Sequence, residues 1–249
     1  MIAFLTSHIG DSCRVDGKRC PQKLWNTNGL VDQLKKHWKK PSNVLIIGTA
    51  PDCYERNDSI LGCMKLSFPM TGLTVKKMAI VDDRDETPII HLGDYDVLIL
   101  SGGHVPSQNA YFEHLGLKEK LADFDGILIG ISAGTMNSAE IVYAHPELDG
   151  EAVDPDYQRF LTGLGLTKVM VLPHYQQIKD DTLDGLRLFE DIAYPDSVGR
   201  EFYALVDGSF ITAENGRSTL YGKAYLIKDG ILRKVCSTNE SIQIQEVIP

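Results

Sequence analysis

The chain has 249 residues, 43% of them hydrophobic, and carries 34 acidic against 25 basic side chains for a formal net charge of −9. That length and apolar share suffice for one large core, and we take residues 1–249 as a single domain. The acid excess and scattered basic residues exclude an extended nucleic-acid surface, which needs a basic stripe to meet phosphates.

The chain opens with MIAFLTSHIGDS, in which IAFLT (2–6) reads as a short buried strand. The segment lacks the basic region and long apolar stretch of a signal peptide, and no apolar run approaches membrane-spanning length, so a cytoplasmic protein without a membrane partner is expected. Cys13, Cys20, Cys53, Cys63 and Cys236 are odd in number and form no C-x-x-C pair, which suggests neither a zinc site nor a disulfide framework. A helix is expected over Leu24–Trp38, its cationic end marked by Lys35, Lys36, Lys39 and Lys40. The strand-like NVLIIGT (43–49) follows, then a helix over Ser59–Met70. The acidic run VDDRDETP (81–88), with Arg84 interleaved, reads as a solvated loop rather than a metal site.

YDVLILSGG (95–103), a helix over Asn109–Leu121, GILIGIS (126–132), KVMVLPH (168–174) and a helix over Asp181–Ile192 continue the pattern. Continuous rather than alternating apolarity implies strands buried on both faces. Strand and helix in alternation predict an α/β fold: a mostly parallel, doubly wound sheet flanked by helices. Between the last two strand-like runs lies PELDGEAVDPDYQRF (146–160), an acidic, turn-rich loop suited to a lid beside a site. From Tyr203 onward, Asp207-Gly208, Asn215-Gly216 and Asp229-Gly230 read as turns between short strands, predicting antiparallel hairpins that close one edge of the sheet.

Within this frame Gly130-Ile131-Ser132-Ala133-Gly134 ends a strand-like run. A G-x-S-x-G stretch there fits a sharp strand-to-helix turn presenting a nucleophilic serine, the bland alternative being a helix-capping serine. A serine hydroxyl needs a base to take its proton and donors to hold an oxyanion. Only His145 and His174 follow Ser132; His174 ends a strand-like run and is expected on the same sheet edge as the serine, whereas His145, before a proline, reads as a surface residue. For the orienting carboxylate Asp207 stands at a strand end, with Asp180, Asp181, Glu190 and Glu201 as competitors. Gly102 and Gly103, with Ala133 after the serine, are the candidate oxyanion donors.

The ordered set SGG (101–103), GISAG (130–134), LPHY (172–175) and ALVDGSFI (204–211) resembles peptidase family S51, the dipeptidase E and cyanophycinase group of serine peptidases. The resemblance implies a class I glutamine amidotransferase-like, flavodoxin-like fold and a triad in the order Ser132, His174, Asp207, with Asp207 where the family usually has Glu. That order departs from α/β-hydrolase esterases, which would take an acid between serine and histidine such as Asp149 or Asp154. Serine in place of the cysteine of amidotransferase relatives argues against a glutaminase. His104 stands where the family usually has Asn, and Leu183 and Asp184 stand where aspartyl-dipeptidase members place substrate-binding arginines, with Arg187 one turn later. Substrate contacts are therefore expected from His104, Tyr175 and Arg187, and strict preference for an N-terminal Asp is not implied. The expectation is a dipeptidase E-like hydrolase of small peptides, needing no cofactor or metal, with a homodimer compatible; a noncatalytic binding protein and an esterase using the same serine are the alternatives.

Overall fold

The computed structural model describes residues 1–244, so the last five residues of the expected single domain lie outside the described residues. The central sheet has eight strands. In chain order the strands of the two principal sheets are β1 (Ile2–Thr6), β2 (Ser42–Ile47), β3 (Val75–Val81), β4 (Val97–Leu100), β5 (Ile127–Ile131), β6 (Met170–Leu172), β7 (Glu201–Leu205), β8 (Phe210–Glu214), β9 (Arg217–Tyr221), β10 (Ala224–Lys228), β11 (Ile231–Cys236) and β12 (Ser241–Ile244). The central sheet runs β12-β9-β8-β1-β5-β4-β2-β3. The five strands from β1 to β3 in that order are mutually parallel, and β8, β9 and β12 extend the β1 edge in antiparallel pairs.

The continuous apolar runs form strands covered on both sides, as their composition predicts. Ala3, Leu5, Leu45, Leu98 and Leu128 face one core, while Phe4, Ile46, Ile99 and Ile129 face the other. Two-residue alternation sends neighbouring side chains to opposite faces, so a strand buried on both must be apolar throughout. Each Leu, Ile or Phe among them contributes about 1.5–3 kcal/mol when fully buried. TVKKMAIV supplies the edge strand β3, which alternation partly conceals: Lys76 and Lys77 are exposed while Met78 and Val81 are buried.

Three expectations are corrected. KVMVLPH does not join the central sheet; its β6 pairs in parallel with β7 in a separate sheet ordered β6-β7-β10-β11. The C-terminal strands are divided between the sheets, and Asp207-Gly208 is no hairpin turn but the crossing from β7 to β8, whereas Asn215-Gly216 and Asp229-Gly230 do turn true hairpins. Their Asn and Asp residues hold φ of 51° and 50°, the left-handed region a two-residue hairpin turn demands. The stretch Asp181–Ile192 is not an α-helix: Thr182–Leu183 and Leu186–Arg187 form a small ladder, followed by one π-helical stretch, Leu188–Ala193. Asp184 at φ 53° and Gly185 at 82° make the turn that breaks the helical pattern. The other helices shift modestly, to Leu30–His37, Tyr54–Met70, and the pair Val105–His114 and Leu117–Leu121, which Gly116 interrupts. No helix among the described residues is long and apolar enough to cross a membrane.

Candidate active site

Ser132 stands between β5 and the short helix Ala133–Met136, with φ 52° and ψ −112°. A non-glycine residue held at positive φ is strained, and the surroundings fix it: its N–H donates to the Thr6 carbonyl at 3.1 Å, and its carbonyl accepts from Thr135 and Met136 at 2.9 and 3.0 Å. The flanking glycines are required by contact. A Cβ on Gly130 would stand 2.9 Å from Thr135 Cα, and one on Gly134 would collide with the Leu100 carbonyl. Gly134→Ala is therefore expected to lower stability by about 1–3 kcal/mol, the cost of overpacking against backbone, read from the urea unfolding midpoint.

His174 follows β6 and comes to the serine from the second sheet, not from the same sheet edge as expected. Its Nε2 lies 2.9 Å from Ser132 Oγ, and its Nδ1 lies 2.7 Å from Asp207 Oδ1. The backbone at His174 is left-handed, φ 59°, and its N–H donates to Ser7 Oγ at 2.8 Å. Ser7 in turn donates to Asp207 Oδ1 at 2.6 Å, and Gln177 donates to Asp207 Oδ2 at 2.7 Å. The Asp207 N–H donates to the Gln176 side-chain oxygen at 3.0 Å.

Burial acts to raise the Asp207 carboxyl, but hydrogen bonds from His174 and Ser7, with the charges of His174 and His8, outweigh it and hold the group at about 2. An ionised carboxylate can only accept, so His174 carries its proton on Nδ1 and presents a lone pair on Nε2 to the serine hydroxyl. Because the folded value lies below the ordinary 3.8, this carboxylate stabilises the fold fully above about pH 4, and the contribution disappears as pH falls towards 2. It amounts to on the order of 2 kcal/mol. Urea midpoints recorded across that window should fall more steeply for the wild type than for Asp207→Asn.

The N–H groups of Gly102, Gly103 and Ala133 donate to no protein group among the described residues. Gly102 abuts the serine, since a Cβ on it would lie 3.2 Å from Ser132 Cβ, and its carbonyl is held by Thr49 at 2.8 Å and Arg56 at 2.9 Å. Gly103 is pressed against Thr49, where a Cβ would stand 2.7 Å from Thr49 Cβ. Open backbone donors beside a poised hydroxyl are what oxyanion stabilisation needs.

The remaining expected residues separate. His104 lies outside the pocket: its Nδ1 pairs with Ser107 at 2.7 Å and its Nε2 with Glu151 at 2.8 Å, which ties the acidic loop to the following helix. Arg187 is turned to Asp191, with Nε–Oδ2 2.9 Å and Nη2–Oδ1 2.6 Å, and does not line the pocket. Tyr175 packs its ring against Tyr225 and Phe189 at centroid distances of 4.3 and 5.5 Å. Asp180 pairs with Lys179, Glu201 with Lys228, and Asp154 caps the N–H of Asp156, so none of these competes for His174. Asp149 and Glu190 are exposed and take no part in the His174 contacts.

His145 reverses its expected place. It is 5% exposed, lines the pocket that contains Ser132 and His174, and has no hydrogen-bond partner for Nε2 among the described residues. Burial, aided by the charge of Arg159, pushes its pKa down to about 4, which leaves it neutral. Pro146 and Glu147 at the root of the acidic loop line the same pocket. Glu147 is exposed as a residue, yet protein crowding around its carboxyl, with the charge of Glu151, pushes that group up to about 7. The loop is pinned rather than free: Glu151 accepts the N–H groups of Glu147 and Leu148 at 2.9 and 3.0 Å, and Asp184 accepts those of Gly150 and Ala152 at 2.9 and 3.0 Å.

Sequence reasoning missed Ser7 and His8. They are the first residues beyond β1, at the carboxyl end of a central parallel strand, and that position was the available signal. His8 lies between Trp25, at a ring-centroid distance of 5.1 Å, and His174, at 6.3 Å, and accepts the Gly10 N–H at Nδ1. Burial lowers its pKa against the opposing pull of Asp11 and Asp207, which favours a neutral ring beside His174.

Among the described residues no group of three or more His, Cys, Asp or Glu is placed to hold a metal ion. The acidic run at 81–88 uses Arg84 to bridge Asp82 and Asp58 at 2.6 and 2.7 Å.

The model of peptidase family S51 matches residues 22–221. No curated protein matches the chain. Among solved structures, the chain is similar to the 1.5 Å crystal structure of a protein from Listeria monocytogenes EGD-e described as a candidate peptidase E, with a TM-score of 0.56 and 16% identity. The match covers 94% of this chain and 98% of that one, and at such identity it speaks for the fold.

Proposed function

The chain belongs to peptidase family S51, and from that premise we propose that it is a serine peptidase of the dipeptidase E type, cleaving a peptide bond in short peptides through an acyl-enzyme. The observation that carries this reading is the continuous hydrogen-bonded line from Ser132 Oγ through His174 to Asp207, at 2.9 and 2.7 Å. Both contacts lie within hydrogen-bond reach, the first as proton transfer from the serine needs and the second as holding the ring needs.

In this mechanism Ser132 Oγ attacks the scissile carbonyl carbon as its proton passes to His174 Nε2. The developing oxyanion is received by the N–H groups of Ala133 and of Gly102 or Gly103. Asp207 holds the ring in the right tautomer and stabilises its cationic form without taking the proton. Collapse of the tetrahedral adduct breaks the C–N bond, and the leaving amine takes the proton from Nε2. A water then attacks the acyl-enzyme, giving its proton to Nε2, and the proton returns to Ser132 as the ester breaks. Ser7, Gln176 and Gln177 position Asp207.

The pocket beside the serine encloses about 310 Å³, at the small end of ligand sites, which suits a short peptide. The test is turnover of a mixed dipeptide and tripeptide library read by mass spectrometry, together with labelling by a fluorophosphonate probe. Cleavage of a subset, with the probe mass on the peptide containing Ser132, is expected. Labelling without any peptide turnover would instead favour an esterase, and neither would favour a noncatalytic binding protein.

A further inference from the structure

The pocket beside Ser132 is charged in one sense. Glu147 and Asp181 contribute carboxylates to its lining, and among the described residues no lysine or arginine lines it. The carboxylates around it are satisfied: Asp180 by Lys179, Asp191 by Arg187, Asp184 by two backbone N–H groups, and Glu151 by His104 and two more. The side chains of Glu147 and Asp181 make no hydrogen bond or ion pair among the described residues. His145, the buried polar group on the same wall, has a free Nε2 and is neutral, so it does not balance them. Lys179 and Arg187, the nearest cations in sequence, are engaged elsewhere.

Glu147 and Asp181 are both exposed to solvent, but the protein crowding and the Glu151 charge that push the Glu147 carboxyl up to about 7 are offset when a cation settles beside it. The rest of the lining is apolar and includes Met136, Leu172, Leu183 and Leu188. An apolar wall with an acidic rim matches a side chain that combines a methylene stem with a charged head, as lysine and arginine do. Resting on the peptidase reading above, we propose that the pocket selects short peptides whose first residue is lysine or arginine, Glu147 and Asp181 sharing the α-ammonium and the side-chain cation. An acidic first residue would set a third carboxylate against these two and is excluded. Arg187, already spent on Asp191, supplies no counter-charge for it.

The test separates binding from turnover. Calorimetry with the Ser132→Ala protein measures Lys-Leu, Arg-Leu, Leu-Leu and Asp-Leu, and the wild type is assayed on the same four. A partly exposed ion pair is worth about threefold in affinity, so Lys-Leu and Arg-Leu should bind about three- to tenfold tighter than Leu-Leu, with Asp-Leu weakest. The Lys-Leu to Leu-Leu ratio should fall towards one in Glu147→Gln and in Asp181→Asn. Asp-Leu binding as tightly as Lys-Leu, or a ratio unmoved in both variants, would overturn the cation site while leaving the peptidase reading intact. Selective binding of Lys-Leu without any turnover by the wild type would support the cation site and sink the peptidase reading.

Discussion

Ser132→Ala is expected to abolish peptide hydrolysis, by about 10⁵-fold or more, while the protein stays folded. Removing the nucleophile of a serine-histidine pair leaves only what the oxyanion donors and substrate binding provide, and the loss is of that order where such a unit is broken. The fold is spared because the Ser132 hydroxyl has one partner among the described residues, His174 Nε2, and the turn is held by backbone bonds through Thr6, Thr135 and Met136. The strain at φ 52° gives a second arm to the same experiment. Ser132→Gly removes the Cβ that makes this backbone conformation unfavourable and should be more stable than wild type by about 1 kcal/mol, although it is equally inactive. Urea melts and peptide turnover, measured on wild type and both variants, check this. A variant that loses stability along with activity would mean that Ser132 is a structural cap rather than a nucleophile held under strain.

Asp207→Asn should lower kcat by about 10⁴-fold with little change in KM. An amide presents either a donor or an acceptor to His174 Nδ1. When it presents the donor, the ring is driven to the tautomer whose proton sits on Nε2, where it cannot accept from Ser132. The hydrogen bonds from Ser7 and Gln177 both go to carboxylate oxygens, so the substitution also disturbs the partners that orient the group. Asp207→Glu offers a control that keeps the charge and adds the methylene usual at this place in the family, and it should retain more activity than Asn. If Asn and Glu were equally active, Asp207 would be a turn residue and the orienting acid would have to lie elsewhere.

The parallel strands and the serine turn were legible because local chemistry is enough to specify them. IAFLT, NVLIIGT, VLIL and ILIGI are apolar without alternation, which only a strand covered on both faces tolerates. The edge strand β3 escaped notice because the exposed Lys76 and Lys77 break its apolar run. Asp181–Ile192 misled because its apolar spacing fits a helix until the turn at Asp184-Gly185 interrupts it. Arg187 drew attention because it stands one turn after the place of the family's substrate-binding arginines, and an acid four residues on, Asp191, engages it.

By itself the sequence determined the α/β class and the strand-end position of Ser132, because strand burial and turn geometry are encoded by residues close together; the order Ser132, His174, Asp207 was implied by the resemblance of four ordered motifs, with the acid open on the residues alone. Only the tertiary structure decided that His174 and Asp207 arrive from a second sheet, that Ser7 and His8 stand behind them, and that His145 is buried at the pocket wall. Those relations join residues up to 200 positions apart, as Ser7 and Asp207 are. Such contacts depend on how the two sheets pack and on where the chain crosses between them, and no local pattern records that crossing.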